Sequence, residues 1–256
     1  MTVATRKIKA LCFDLGNTLI EFGPEQFACQ NAALEKALTK LFGHCDAEAL
    51  KALRDRQYLA PFSNGYRENN PRRLCEELIF EMYDRVPAER HVDKLMQTLY
   101  DSFIHVVGLP DGVLPLLQML RRRYRLGLLS NYPCSRSIRD SLENIGMLEV
   151  FDAVAISGDI GYVKPHAKAF AALLSQLGLA PSECAYVGDN WFTDVQGAKR
   201  IGMWAILTTQ YVPYKSFEPA EGDHVPDMRV DHLNELEEVL LNPDCAVGTV
   251  ARRRKP

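Results

Sequence analysis

The sequence predicts an α/β fold: a doubly wound parallel sheet with an all-helical domain inserted after the first strand. Five short apolar runs have the continuous hydrophobic character of strands that are buried on both faces. Helical segments separate most of these runs, and that alternation indicates a parallel sheet with helices on both sides. Between residues 24 and 107 the sequence contains no convincing strand, and its apolar residues recur at helical spacing.

Composition sets outer limits on function. A chain of 256 residues, 47% hydrophobic and 25% charged, is long enough for a sizeable core and has the composition of a soluble globular protein. The net charge of -3 gives no reason to expect nucleic acid or a membrane surface as a partner. No apolar run approaches the ~18 residues of a membrane span, and the N-terminus lacks the apolar region of a signal peptide.

The seven cysteines and six histidines indicate neither a disulfide framework nor a metal site of their own. The cysteines form no CxxC pair and several lie in apolar runs, which favours reduced thiols in a cytoplasmic protein. The histidines show no metal-ligand spacing. Nothing in the sequence predicts an oligomeric state.

The elements of the predicted core follow from the positions of these runs. The apolar runs predict strands at 8–13, 124–130, 152–157, 184–188 and 203–208. The intervening segments predict helices at 112–123, 135–145, 166–177 and 191–200.

The inserted helical domain is predicted from apolar faces that run from Phe27 to Phe42 and from Val92 to Phe103, with a further helical pattern at 74–83. Turn residues at 60–71 predict a loop between its helices. The predicted domains are therefore a core of residues 1–23 and 108–242, a helical insert of residues 24–107, and a flexible tail of residues 243–256.

Polar residues stand where three of the predicted strands end. Asp14 follows the first strand, Ser130 and Asn131 end the second, and Asp189 follows the fourth. Ligands of open parallel sheets bind at the carboxyl ends of the strands. If these strands are neighbours, the polar residues converge on one pocket.

Four motifs occur in order along the chain: FDLGNT (13–18), LLSN (128–131), Lys164-Pro165 within GYVKPHAKAF, and GDNWFTD (188–194). Together they resemble the motifs of the haloacid dehalogenase superfamily of hydrolases. The resemblance extends to about residue 242, and the helical insert matches the position of the family's mobile cap of the first type. It implies a Rossmannoid core and a phosphatase that acts on a small phosphorylated metabolite.

The resemblance also implies residue roles. Asp14 would be the nucleophile that forms an aspartyl-phosphate, and Mg²⁺ would be held by Asp14, the Gly16 carbonyl and Asp189. Oxygen donors of this kind suit a hard cation. Asp194 would bind a metal-bound water or orient the cation of the third motif.

The phosphoryl group would be held by Ser130, by the backbone N–H of Asn131 and by the fixed charge of Lys164. Tyr66 and Arg67, in the predicted loop of the insert, would contact the substrate. Thr18 is expected to hydrogen-bond within the loop after the first strand, where it could equally be a plain turn residue.

Gly16 departs from the family pattern, because the family's phosphatases usually carry a second aspartate there as general acid and base. Three interpretations remain: a working phosphatase in which water or another residue substitutes, a weak or silent binder of phosphorylated ligands, or a different family chemistry. Glu21 and His166 are the candidates for a substitute acid.

Two other chemistries occur in the family. Haloacid dehalogenases need no metal and generally lack the aspartate that stands here at position 189. Phosphonate-cleaving members lack the second aspartate but require a Schiff-base lysine in the cap. The lysines available in the insert are Lys36, Lys40, Lys51 and Lys94.

Overall fold

The computed structural model describes residues 8–212 and 220–241, with only the backbone of residue 241. It contains a sheet of six parallel strands in the order β3-β2-β1-β4-β5-β6. The predicted fold class is confirmed, and each of the five predicted strands is found within two residues of its expected ends. The sixth strand, β6, was not predicted. The strands are β1 (Ala10–Phe13), β2 (Arg125–Ser130), β3 (Ala153–Ile156), β4 (Cys184–Gly188), β5 (Trp204–Thr208) and β6 (Met228–Val230).

The continuous apolar character of the strands reflects burial on both faces of the sheet. In β1, Leu11 and Phe13 pack into one hydrophobic layer, whereas Ala10 and Cys12 pack into the other. Side chains alternate between the two faces of a strand, so both faces of the central strand are covered.

Helices of the core cover both layers. The predicted helices are found close to their expected bounds, and the one after β4 begins with a π-helical turn, Trp191–Gln196. The α-helices of the core are α5 (Val113–Arg121), α6 (Ser135–Asn144), α7 (Ser157–Ile160), α8 (Ala167–Leu177), α9 (Gly197–Arg200) and α10 (Glu235–Leu241).

Four helices occupy the predicted insert: α1 (Pro24–Phe42), α2 (Ala47–Ser63), α3 (Pro71–Tyr83) and α4 (Glu89–Val106). They share an apolar cluster of their own. The side chain of Asp46 caps α2 and that of Asn70 caps α3, each by accepting two backbone N–H bonds. The predicted loop is shorter than expected, because α2 continues to Ser63. The bounds of the insert as a domain stay a prediction.

Within 8–212 and 220–241, no helix combines the length and apolarity needed to cross a membrane. The six cysteines of these ranges are free thiols, and Cys12, Cys75 and Cys184 are buried. Cys245 and the predicted tail, 243–256, lie outside the described residues.

Candidate active site

The polar strand ends converge. Strands β2, β1 and β4 are neighbours in the sheet, so their carboxyl ends lie side by side. Asp14, Ser130 and Asp189 line one cavity of about 1370 Å³, which also receives side chains from α1, α2 and α4. The structure thus brings the ends of three motifs to the edge of the sheet where ligands bind in parallel folds.

Lys164, from the third motif, lies at the centre of this edge. It is only 2% exposed. Its Nζ atom donates hydrogen bonds to Asp14 Oδ1 at 2.6 Å, to Asp194 Oδ1 at 2.8 Å and to the hydroxyl of Tyr186 at 3.0 Å. All three donor positions of the ammonium are therefore used, and the charge is fixed beside Asp14.

Asn131 holds the backbone of this lysine. Its Oδ1 accepts the N–H of Lys164 at 2.7 Å, and its Nδ2 donates to the Lys164 carbonyl at 3.1 Å. The side chain therefore links the second and third motifs, a role that was not predicted. The expected contact of the Asn131 backbone N–H with a phosphoryl group stays a prediction.

Asp194 reaches the site through the turn that follows β4. Its Oδ2 accepts the backbone N–H of Asn190 at 3.0 Å, while its Oδ1 accepts from Lys164. A Cβ atom at Gly188 would lie 2.4 Å from Oδ2 of Asp194, so the carboxylate occupies space that only glycine leaves free. The expectation that Asp194 orients the lysine agrees with this contact.

The carboxylates form a cluster that suits a divalent cation. One oxygen each of Asp14, Asp189 and Asp194 lie within 4.8 Å of one another. The hydroxyl of Thr18 donates to Asp189 Oδ1 at 3.4 Å, and its backbone N–H donates to the Leu15 carbonyl at 3.3 Å, within the loop after β1 as expected. An all-oxygen set is what Mg²⁺ prefers. These residues fit a magnesium ion by their chemistry.

The electrostatics of the cluster also favour a bound cation. Burial raises the pKa of Asp14 to about 6, and the charge of Asp194 adds to this rise, whereas the charge of Lys164 acts in the opposite direction. Burial and the charges of Asp194 and Asp14 raise the pKa of Asp189 to about 8. Burial lowers the pKa of Lys164, but its two carboxylate neighbours outweigh that effect and raise it. Three carboxylates against one ammonium leave negative charge uncompensated, and a divalent cation would relieve it.

Gly16 lines the same cavity, and the side chain of Phe22 lies next to it. Its φ lies outside the left-handed region, so its backbone does not demand glycine. A Cβ atom there would lie 3.3 Å from Cβ of Phe22. The ring of Phe22 packs against Phe27 and Phe103 at centroid distances of 5.2 Å each. An aromatic side chain therefore stands close to where an acid at position 16 would begin.

Tyr66 and Arg67 lie away from the described lining of this cavity. The Arg67 guanidinium stands 5.4 Å from the ring centre of Tyr162, and the Tyr66 ring packs near Phe62. Their backbones tie the α2–α3 loop to the segment before Lys164, since the N–H of Val163 donates to the Tyr66 carbonyl at 2.9 Å. Their contact with substrate stays a prediction.

The candidate substitute acids are also elsewhere. Glu21 is exposed, and His166 accepts the backbone N–H of Lys168 at 3.1 Å as the N-cap of α8. Neither belongs to the described lining of the cavity. The four insert lysines weighed as Schiff-base candidates are exposed and do not line it either: Lys36, Lys40, Lys51 and Lys94.

The structure adds site residues that sequence reasoning missed. Tyr186 lies in the middle of β4, accepts from Lys164 and donates to the Leu129 carbonyl at 3.0 Å. The signal was a tyrosine inside the otherwise apolar run CAYVG, because a buried phenol requires a hydrogen-bond partner. Arg54 and Tyr58 of α2 also line the cavity, and no motif marked them.

Comparison with known proteins gives consistent matches over most of the chain. A family model described as haloacid dehalogenase-like hydrolase matches residues 8–202. The chain is 27% identical over 234 residues to the glyceraldehyde 3-phosphate phosphatase of Methanopyrus kandleri, a match that covers 91% of this chain and 97% of that protein. It is 28% identical over 240 residues to the phosphoserine phosphatase of Thermus thermophilus, with 89% and 90% covered.

A solved structure shares the fold. The 2-haloacid dehalogenase of Pseudomonas syringae pv. Tomato DC3000 superimposes with a TM-score of 0.71 at 23% sequence identity, over 91% of this chain and 98% of that one. At this identity the likeness concerns the arrangement of the elements.

Proposed function

Since the chain belongs to the haloacid dehalogenase-like hydrolases, we propose that it is a Mg²⁺-dependent phosphatase of small phosphomonoesters that works through an aspartyl-phosphate. The phosphatase activities named for the relatives, which it matches over about nine-tenths of its length, support this reaction class. A location in the cytoplasm stays a prediction.

One observation carries the proposal: a carboxylate cluster beside a single buried ammonium. Asp14, Asp189 and Asp194 offer oxygen ligands within 4.8 Å of one another. Mg²⁺ bound there by Asp14, the Gly16 carbonyl and Asp189 would supply the positive charge that lets a phosphate dianion approach a carboxylate. Haloacid dehalogenases need no metal and generally lack an aspartate at the position of Asp189, so the cluster favours phosphate chemistry.

The residues of the site have separate roles in this reaction. The carboxylate of Asp14 forms a bond to phosphorus while the bond from phosphorus to the ester oxygen breaks, and the leaving alcohol takes a proton from water. Water attacks the resulting acyl-phosphate at phosphorus, which releases phosphate and restores the carboxylate. Ser130 and Lys164 stand beside Asp14, where they would stabilise charge on the phosphoryl oxygens.

Helices α1 to α4 would act as the cap of this active site. They have their own apolar cluster and supply a large part of the cavity lining, from Phe27 in α1 to Phe103 in α4. We propose that the segment 24–107 excludes water from the strand ends and selects the alcohol portion of the substrate.

The lack of an acid at position 16 should make the rate depend strongly on the leaving group of the substrate. Phe22 brings no proton to the leaving oxygen, and positioned acids typically contribute ~10²–10⁴-fold. Esters whose leaving group departs as a stabilised anion, such as aryl phosphates, should therefore be cleaved much faster than alkyl phosphates.

A phosphatase screen tests the proposal. Sugar phosphates, nucleotides and aryl phosphates are offered with Mg²⁺ or with EDTA, and release of phosphate is measured for the unaltered protein and for Asp14→Asn. We expect Mg²⁺-dependent turnover that the substitution abolishes. Halide release from a 2-haloacid in EDTA would instead establish a dehalogenase. A ligand-induced rise in melting temperature without turnover of any phosphate would indicate a binding protein.

A further inference from the structure

We propose, on the basis of the phosphatase function above, that the substrate carries a second anionic group, a carboxylate or a second phosphate, and that Arg54 binds it. The site lies in the same cavity as Asp14 but at the part lined by α2 and α6. No sequence motif marks it.

Arg54 lies one helical turn from the reacting end of the cavity. It precedes Tyr58 by four residues on α2, so the two side chains share a helix face and are about 6 Å apart along the axis. Burial of its hydroxyl, and then the charges of Asp14 and Asp189, raise the pKa of Tyr58, although 63% of the residue is exposed. Tyr58 and Arg54 line the same cavity as the carboxylate cluster, so a ligand that extends from the cluster past Tyr58 reaches Arg54.

The guanidinium of Arg54 has unused binding capacity. Its Nε is buried without a hydrogen-bond partner, and its Nη1 donates to Gln57 Oε1 at 3.3 Å. The nearby carboxylates are bound elsewhere: Asp55 pairs with Lys51 at 3.0 Å, and Glu77 accepts from Gln57 at 3.1 Å. A buried donor without an acceptor costs free energy, so its retention indicates an absent acceptor.

The partners of the cationic side chains in the cavity support the same conclusion. Among the described residues that line it, three side chains are cationic. Lys164 is bound by Asp14 and Asp194, and Arg56 is paired with Glu81. For Arg54 no ion pair is found within the described ranges. Lys164 stands at the reacting end beside Asp14, so Arg54 is the cation available to a second anionic group of the ligand.

A second buried polar group without a partner lines the cavity from the core side. Ser137 of α6 is 1% exposed, and its hydroxyl lacks a hydrogen-bond partner. Burial raises the pKa of Tyr132 to about 12, whereas a bond from Gln30 and the charge of Arg54 lower it. The charge of Arg54 therefore acts on Tyr132, and both residues line the cavity together with Ser137. An anion with several acceptor oxygens would satisfy donors from both walls.

Three alkyl phosphates of equal chain length test this inference. They end in a carboxylate, in the corresponding neutral amide, or in a second phosphate. The unaltered protein should show a kcat/KM at least about tenfold higher for one or both charged esters than for the amide, the size of one charge-assisted hydrogen bond. Which charged ester is preferred identifies the anion.

Arg54→Met should remove this preference, whereas Arg54→Lys should retain part of it. Arg73→Met is the matched control, because Arg73 is an exposed arginine of α3 outside the described cavity lining. Equal rates for all three esters with the unaltered protein would overturn the inference. So would an equal loss on all three with Arg54→Met, or the same effect from Arg73→Met.

Calorimetric binding of the matching non-hydrolysable phosphonates keeps the inference separate from the proposed function. If no ester is hydrolysed but the charged phosphonates bind more tightly and Arg54→Met removes that difference, the phosphatase proposal fails and the anion site stands. If turnover is present but neither rates nor binding depend on the terminal charge, the anion site is refuted alone.

Discussion

Restoring an acid at position 16 tests why this site lacks one. In Gly16→Asp the new carboxyl group would stand two residues after the nucleophile and beside Phe22. The φ of Gly16 is open to other residues, so the main obstacle is steric. The added Cβ would lie 3.3 Å from Cβ of Phe22, so the loop that carries Phe22 must move by a few tenths of an ångström. Overpacking of this kind costs about 1–3 kcal/mol, which urea unfolding will measure.

The expected gain depends on the leaving group. A positioned acid should accelerate alkyl phosphate hydrolysis by ~10²-fold, the low end of general acid catalysis, and should change aryl phosphate hydrolysis little. The assay is kcat/KM over a series of esters, plotted against the pKa of the leaving alcohol. The slope should be steep for the unaltered protein and shallower for Gly16→Asp.

Gly16→Asn is the matched control, because it has nearly the same shape and crowds Phe22 in the same way but offers no acid. If folded Gly16→Asp and Gly16→Asn hydrolyse alkyl phosphates at the same rate, proton donation from position 16 is irrelevant. Another group of the cavity would then already protonate the leaving oxygen.

Three further predictions concern the charged cluster. Asp14→Asn should keep the circular dichroism of the unaltered protein and lose turnover, because the amide does not attack phosphorus; substantial residual activity would exclude the aspartyl-phosphate. In EDTA, the free energy of unfolding should fall as the pH rises from about 4 to about 8. The pKa of Asp189 is about 8 in the folded protein, against an ordinary value of 3.8. Between these two pH values the folded state therefore binds a proton that the unfolded state has lost. Asp189→Asn should weaken both this dependence on pH and the rise in melting temperature that Mg²⁺ causes. If the variant and the unaltered protein melt identically under all these conditions, Asp189 is not the metal ligand proposed here. Lys164→Met should lower the free energy of unfolding by about 3–5 kcal/mol at neutral pH in EDTA, because two buried carboxylates lose their counter-ion. The loss should be smaller in acid, where those carboxylates are protonated. A loss that does not depend on pH would argue against this cause.

Much of the site was predictable because of the geometry of parallel sheets. An apolar run that ends in a polar residue marks both a buried strand and its carboxyl end, and carboxyl ends of adjacent strands share one edge. The sequence therefore predicts that Asp14, Ser130 and Asp189 meet if their strands are neighbours. The helical insert was predictable for a similar reason, since a continuous apolar face over two or three turns is local information. The three residues of β6 are too few to carry such a signal.

The tertiary structure alone decided which side chains support this edge. The side chain of Asn131 binds the backbone of Lys164, 33 residues along the chain, and Gly188 leaves room for Asp194. The crowding of position 16 by Phe22 likewise depends on how the loop after β1 folds back.

The part of the cavity lining that the insert supplies was the least predictable. Tyr66 and Arg67 stand in a polar loop, as substrate-binding residues often do, but their side chains pack outside the described cavity lining. Arg54 resembles any other helix arginine in the sequence. Its place in the cavity and its Nε without a hydrogen-bond partner among the described residues follow from how α2 packs, and contacts between distant segments leave no trace in local sequence.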